Sequence, residues 1–285
     1  MIRKGLLFAI VFFVINNAFA QQYVTTGDFD RTSKASFGVN FNVYNGELRE
    51  VADPEIQGSL GFTLGYEHFL RSSKNISLRG NLSVYSIKGS DALSPLPEQV
   101  SRNLSFKATN FEFTLQALYY LRPLPSSGYK DRAFLNPYVM LGAGVTSNNP
   151  KAELNGTEYK LRPMKLEGEE YGSLAFVIPV GLGLNFFINR TMDFQIEAQY
   201  NMTLTGYLDD VSSVYRDPIS FADPVAAQLS DRGPEIGLAP AAAGDPRGSG
   251  KNDAYFRLGF RLNYYLPKAL YGKSGLRCII NKKTR

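Results

Sequence analysis

The chain has 285 residues, with 31 Lys and Arg against 26 Asp and Glu, a formal net charge of +5. A single cysteine excludes a disulfide within the chain, and the single histidine leaves no zinc or iron–sulfur pattern. The mean hydropathy of −0.18 excludes a bundle of membrane helices but not a barrel, in which only alternate strand residues meet lipid.

The N-terminus reads as a secretory signal peptide spanning 1–20. Arg3 and Lys4 form a basic start, Leu6–Ile15 an apolar run, and Ala18-Phe19-Ala20 a small-residue cleavage site, with cleavage expected after Ala20. Asn16-Asn17 ends the apolar run before it reaches the roughly 20 residues of a membrane helix. Residues 21–33 are expected to be a short periplasmic segment.

Eight segments then alternate apolar and polar residues with period two: Lys34–Tyr44, Ser59–Phe69, Ile76–Ile87, Phe106–Leu121, Asn136–Val145, Phe176–Phe187, Met192–Leu204 and Asp253–Leu266. A strand points successive side chains to opposite faces, so each segment offers one apolar and one polar face. The expected fold over 34–266 is an all-β, eight-stranded, antiparallel up-and-down transmembrane barrel with a filled polar lumen. A β-sandwich is the competing reading, and the connections argue against it. Strands 2–3, 4–5 and 6–7 are joined by about 6, 14 and 4 residues, and the other neighbours by about 14, 18, 30 and 48, the short–long rhythm of outer-membrane barrels.

Outward candidates include Phe37, Leu60, Phe62, Leu64, Phe111, Phe113, Leu115, Val180 and Leu182. The inward parity carries Asn, Gln, Ser and Thr, together with Glu67, Arg79, Glu112, Glu197, Arg257 and Arg261. Isolated charges in so narrow a lumen are costly, so these six are expected to pair and to leave no open pore. Counting around the turn near Ser73 sets Glu67 across from Arg79, and counting back from the turn ends sets Glu197 level with Arg261.

His68 is the one catalytic temptation, since some barrels of this size hydrolyse lipids with Ser and His. It lies at the end of strand 2 on the lipid-facing parity, and reads as an interfacial residue. Asp209-Asp210 could offer oxygen ligands to calcium, but two adjacent loop acids read as solvated or turn-capping. Gly237–Gly250 reads as a mobile loop and Leu161–Glu170 as a polar one. No metal, cofactor or nucleic-acid partner is expected.

The tail 267–285 holds Lys268, Lys273, Arg277, Lys282, Lys283 and Arg285 and no acids, a charge of +6. It is expected to be periplasmic, and either to lie on anionic headgroups, to dock on a protein partner or to stay disordered.

Several stretches carry a resemblance: Arg102–Phe106, Pro137-Tyr-Val, Gly142–Val145, Asn149–Ala152, Pro179–Leu184 and, most specifically, Tyr207-Leu-Asp-Asp-Val-Ser212. Over roughly Phe37 to Tyr265 the chain resembles the PorG-like outer-membrane barrels of Bacteroidetes associated with the type IX secretion system. That resemblance implies a non-enzymatic barrel in outer-membrane lipid, anchoring the periplasmic ring proteins of the secretion machine; the signal peptide and the even strand count put both termini in the periplasm. The alternative expectation is a surface adhesin or ligand-binding barrel that acts through the long external loops.

Overall fold

A computed structural model describes residues 33–48, 58–70, 73, 75–94, 96–123 and 133–266. The expected signal peptide, its cleavage at Ala20 and the basic tail therefore lie outside the described residues.

Eight long strands close into one antiparallel barrel: β1 (Ser33–Asn45), β2 (Ser59–Phe69), β3 (Ile76–Ser90), β4 (Ser105–Tyr120), β5 (Leu135–Ser147), β8 (Leu174–Phe187), β9 (Met192–Thr203) and β10 (Ala254–Tyr265). Two further strands, β6 (Lys151–Leu154) and β7 (Thr157–Lys160), form a hairpin inside the loop between β5 and β8. Each barrel strand pairs with its chain neighbour, and β1 pairs with β10 from Lys34 opposite Tyr265 to Asn45 opposite Ala254. Closure leaves the eight strands no unpaired edge.

Period two in the sequence becomes inside and outside. In β4 every even-numbered residue from Phe106 to Tyr120 is buried, and most of the odd-numbered ones are exposed. Around the barrel waist Leu64, Leu115, Leu141 and Leu182 are each 59–60% exposed. A continuous apolar belt of this kind has no place in water, and matches the outer face of a barrel in lipid. Toward the short-turn end, Ala35 lies between Tyr264 and Tyr66 in adjacent strands. Their outward rings form part of an aromatic girdle of the type found at membrane–water boundaries.

The short turns gather at one end and the long loops at the other. The lumen carries an aromatic layer near each. Phe69, Leu118, Tyr120, Tyr138, Met140 and Tyr265 pack at the short-turn end. Tyr44, Tyr85, Ile87, Phe106, Val177 and Tyr255 pack at the loop end, joined there by Leu208 and Val211 from the last loop. Polar side chains fill the space between.

The strands outrun their expected bounds mainly at the loop end. β3 continues to Ser90 and β8 begins at Leu174. The hairpin was missed although Asn155-Gly156 is a strong two-residue turn signal. Both turn residues take positive φ, 51° and 78°.

Candidate functional site: sealed lumen and loop cap

The middle of the lumen is organised by Glu197 on β9. It accepts a very short contact from the Arg79 guanidinium across the barrel, a hydrogen bond from Tyr138 at 2.5 Å and one from Gln199 at 2.9 Å, and it lies 3.4 Å from Arg261. Arg79 is further held by Gln116 at 2.7 Å, and Arg261 by Ser36 at 2.9 Å and Asn81 at 3.0 Å. Nearer the loop end Arg257 meets Glu112 at 2.7 Å and Asn42 at 2.9 Å, under the ring of Tyr85. All six charged residues expected in the lumen are buried there.

The close packing depends on glycine at two places. A Cβ on Gly65 would fall 2.5 Å from both the Arg261 guanidinium and the Ser36 hydroxyl, and one on Gly183 would enter the Tyr138 ring.

The pairing differs from the counting argument. Glu67 does stand opposite Arg79 in register, but it does not take Arg79 as its ion-pair partner. Lys34, directly opposite Glu67 on the other side, fills that role at 3.2 Å. Ser77 and Tyr120 each donate to Glu67 at 2.7 Å. With Glu67 so occupied, Arg79 reaches across a lumen narrow enough to span. Glu197 faces Gly259 rather than Arg261, which faces Gln195, so the contact is diagonal. Lys34 and Asp193 are the lumen charges that sequence reading missed. Lys34 lies beneath the rings of Phe69, Tyr120 and Tyr265, 5.2–5.9 Å from their centroids.

His68 lies beside Ser33, with Ser33 Oγ 2.8 Å from its Nδ1 and Tyr66 donating to the same hydroxyl at 2.9 Å. The pair has hydrogen-bond reach but no access, since Ser33 is fully buried. A nucleophile must meet its substrate, and this contact instead ties the start of β1 to the end of β2.

The largest departure from expectation is over the loop end. The loops expected to be mobile or polar build a packed cap. Its elements include α1 (Pro97–Arg102), the β6–β7 hairpin and α2 (Pro224–Ser230), and it has its own core of Ala152, Leu154, Leu161, Leu166, Ala226 and Leu229. Leu161 and Leu166, buried in that core, thus correct the reading of 161–170 as simply a polar loop.

Arg247, inside the Gly/Ala/Pro-rich run, is buried at the centre of this cap. It binds Glu167 at 2.9 Å, the Asp210 carbonyl at 2.6 Å and the Ser230 carbonyl at 3.1 Å. Glu167 in turn accepts from the backbone amides of Ser212 and Ser213.

Asp209 and Asp210 are likewise buried, not solvated. Asp209 caps Val211 at 2.9 Å and takes the Leu48 amide at 3.2 Å. Asp210 adopts φ 68°, the left-handed region that Asp tolerates, and accepts a hydrogen bond from Tyr171. Asp253 accepts from Tyr44 at 2.6 Å and from the Leu208 amide at 2.9 Å. The Tyr207–Ser212 motif is therefore the pin between cap and barrel mouth. Among the described residues no cluster of three or more His, Cys, Asp or Glu is placed to hold a metal.

Burial sets the protonation of this pin. It pushes Asp253 up to about 7, and pushes Asp209 well above the carboxylate range, with the neighbouring Asp253 charge adding to the effect. It raises Asp210 to about 7 against the lowering pull of Arg247. In an opened cap these carboxyls titrate near 3.9, as free Asp does. The closed cap thus holds more protons than the opened one between about pH 4 and 7, and its stability falls as pH rises through that window. Amide exchange across 205–253, corrected for intrinsic rates, should show protection falling between pH 5 and 7.5 by up to about 1.4 kcal/mol per pH unit per proton held. Asp253→Asn should flatten that slope, and an equal slope in the variant would exclude this origin.

No family model matches the chain, and no curated protein matches it in sequence. Solved structures do match. Neisserial surface protein A aligns over 82% of this chain and 97% of its own, with a TM-score of 0.42 and 8% identity. The attachment invasion locus protein Ail of Yersinia pestis aligns over 82% and 98%, with a TM-score of 0.37 and 14% identity. The N-terminal β-barrel domain of Pseudomonas aeruginosa OprF aligns over 81% and 97%, with a TM-score of 0.35 and 12% identity.

Proposed function

We propose that this chain is a non-enzymatic, non-conducting barrel of a bacterial outer membrane that presents its loop cap to the outside as a rigid binding platform. The packed cap carries this reading. A barrel serving only as a membrane plug has no need of loops with their own hydrophobic core and a buried Arg247–Glu167 pair. The apolar belt supports residence in lipid, and the side chains filling the lumen argue against conduction.

Orientation is the testable part. In a Cys278→Ser background, Ile219→Cys places a thiol in the cap at a position that is 91% exposed. A membrane-impermeant maleimide should label it on intact cells. A cysteine at Asn75, in the short turn, should be labelled only after the outer membrane is permeabilised. The reverse pattern would put the cap in the periplasm and end the platform reading.

A second reading rests on the resemblance of Tyr207–Ser212 and its companion stretches to the type IX secretion barrels. In that reading the barrel anchors a periplasmic ring, with Lys268, Lys273, Arg277, Lys282, Lys283 and Arg285 supplying the contact to the ring protein. Crosslinking from the tail in intact cells tests it, and recovery of lipid alone would count against it.

A further inference from the structure

We propose that the outer edge of the β6–β7 hairpin binds an extended acidic peptide by strand addition, which deepens the platform reading by naming the part of the cap that would engage a partner. The hairpin's two-residue turn fixes which backbone groups are free. Leu154 and Thr157 flank the turn and face each other, followed by Glu153 with Glu158, Ala152 with Tyr159, and Lys151 with Lys160. The pair next to a two-residue turn exchanges backbone hydrogen bonds, and bonded and non-bonded pairs then alternate. Leu161 N donates to the Pro150 carbonyl at 3.0 Å, in step with that alternation. Thr157 and Tyr159 therefore turn their amides and carbonyls toward β6, while Glu158 and Lys160 turn theirs away. β7 ends the sheet order, and among the described residues it pairs with no strand but β6.

An unpaired edge is a template for another strand. This one opens on a groove of about 660 Å³ that runs between β7 and the segment 216–226. Tyr159, Met164, Phe221 and Ala226 give it apolar lining, positioned to receive alternate side chains of an added strand.

Charge selects the peptide. Glu158 is already matched by Lys151 at 3.2 Å and Lys107 at 3.7 Å. Asp223 is engaged as the cap of α2, accepting the Val225 amide at 2.9 Å. Lys160 has no carboxylate within ion-pair distance among the described residues. Arg216 is stacked 4.8 Å over Phe221 and gives one hydrogen bond, to the Ser220 carbonyl at 3.0 Å. The groove thus offers two cations whose donors are largely uncommitted, next to a row of free backbone groups. The ligand that answers both is an extended chain bearing carboxylates. A small anion would leave the backbone edge unused.

The test uses the full chain in lipid nanodiscs and a labelled synthetic peptide of about eight residues, the length of an ordinary strand, alternating valine and glutamate. Fluorescence anisotropy should show saturable binding, weakened at least about tenfold, or 1.4 kcal/mol, when lysine replaces glutamate in the peptide. Lys160→Pro removes the outward amide and spares the bonds to β6, and should weaken binding by a similar factor. Lys160→Thr keeps that amide and should cost only a few-fold. The peptide side gives the same answer with no change to the protein. N-methylation of one set of alternate amides should abolish binding, and N-methylation of the other set should spare it. Equal tolerance of both sets, equal binding by Lys160→Pro, or no binding up to about 1 mM (about −4 kcal/mol) would each overturn strand addition. None of those results would alter the labelling of Ile219→Cys, so failure here is distinguishable from failure of the platform reading.

Discussion

Glu197→Ala is expected to destabilise the barrel by about 3–5 kcal/mol, the typical cost of breaking a buried ion pair from one side. The substitution strips Arg79 and Arg261 of their shared carboxylate, and Tyr138 and Gln199 of an acceptor. The loss comes less from missing attraction than from two guanidinium groups left buried without their shared counter-charge. Glu197→Gln keeps an acceptor oxygen and the side-chain volume but not the charge, so it should fall between wild type and Ala. Denaturant unfolding from lipid vesicles reads the difference. A change under 1 kcal/mol in Glu197→Ala would mean that the lumen solvates its charges by some other route. The cap should keep its protease resistance in this variant, since none of the hydrogen bonds of Arg247 reaches Glu197.

Arg247→Met should do the opposite, loosening the cap by about 3–5 kcal/mol and leaving barrel stability close to wild type. Methionine fills part of the volume but leaves Glu167 buried and unpaired, and frees the carbonyls of Asp210 and Ser230. Exchange protection should fall in 205–253 and around Glu167, and stay unchanged in β1–β5. Limited proteolysis should cut first in the last loop. Loss of barrel protection along with the cap would show the two to be one cooperative unit. Restoring the charge balance with Glu167→Leu in the same chain should recover part of the loss, because an apolar pair no longer buries a lone carboxylate.

The barrel was legible because one physical alternation, lipid outside and polar lumen inside, writes period two into every crossing strand. Strands of 11–16 residues give that signal room to repeat. Lys34 escaped because it sits near the start of β1, before the parity is established, and the long loop between β1 and β2 hides the register that sets it opposite Glu67. Arg79 was placed in the right row with the wrong partner. Register counts neighbours on adjacent strands, and says nothing of a side chain that crosses the lumen.

The cap was nearly illegible for a different reason. It is assembled from four-residue strands and helices of six and seven residues, too short for periodicity to show. Its central contacts join Arg247 to Glu167, 80 positions away. Local composition, rich in Gly, Ala and Pro, pointed the other way. The Asn155-Gly156 turn was the one local clue, and it marked the hairpin.

The lumen contacts have a bearing on how the molecule comes to exist. Arg79 and Glu197 are 118 positions apart, Arg257 and Asn42 are 215, and Arg261 and Ser36 are 225. The contacts of Arg257 and Arg261 to β1 cannot form in a growing sheet until β10 meets β1, so the part of the network that joins the two ends of the sheet arrives in a late step, after most of the loop-closure entropy has been spent. A sheet zipped with its last seam slipped by one residue would turn Arg257 and Arg261 toward the hydrocarbon. The charged interior thereby acts as a proofreader of ring closure, rejecting by electrostatic mismatch the near-miss cylinders that hydrogen bonding alone would accept.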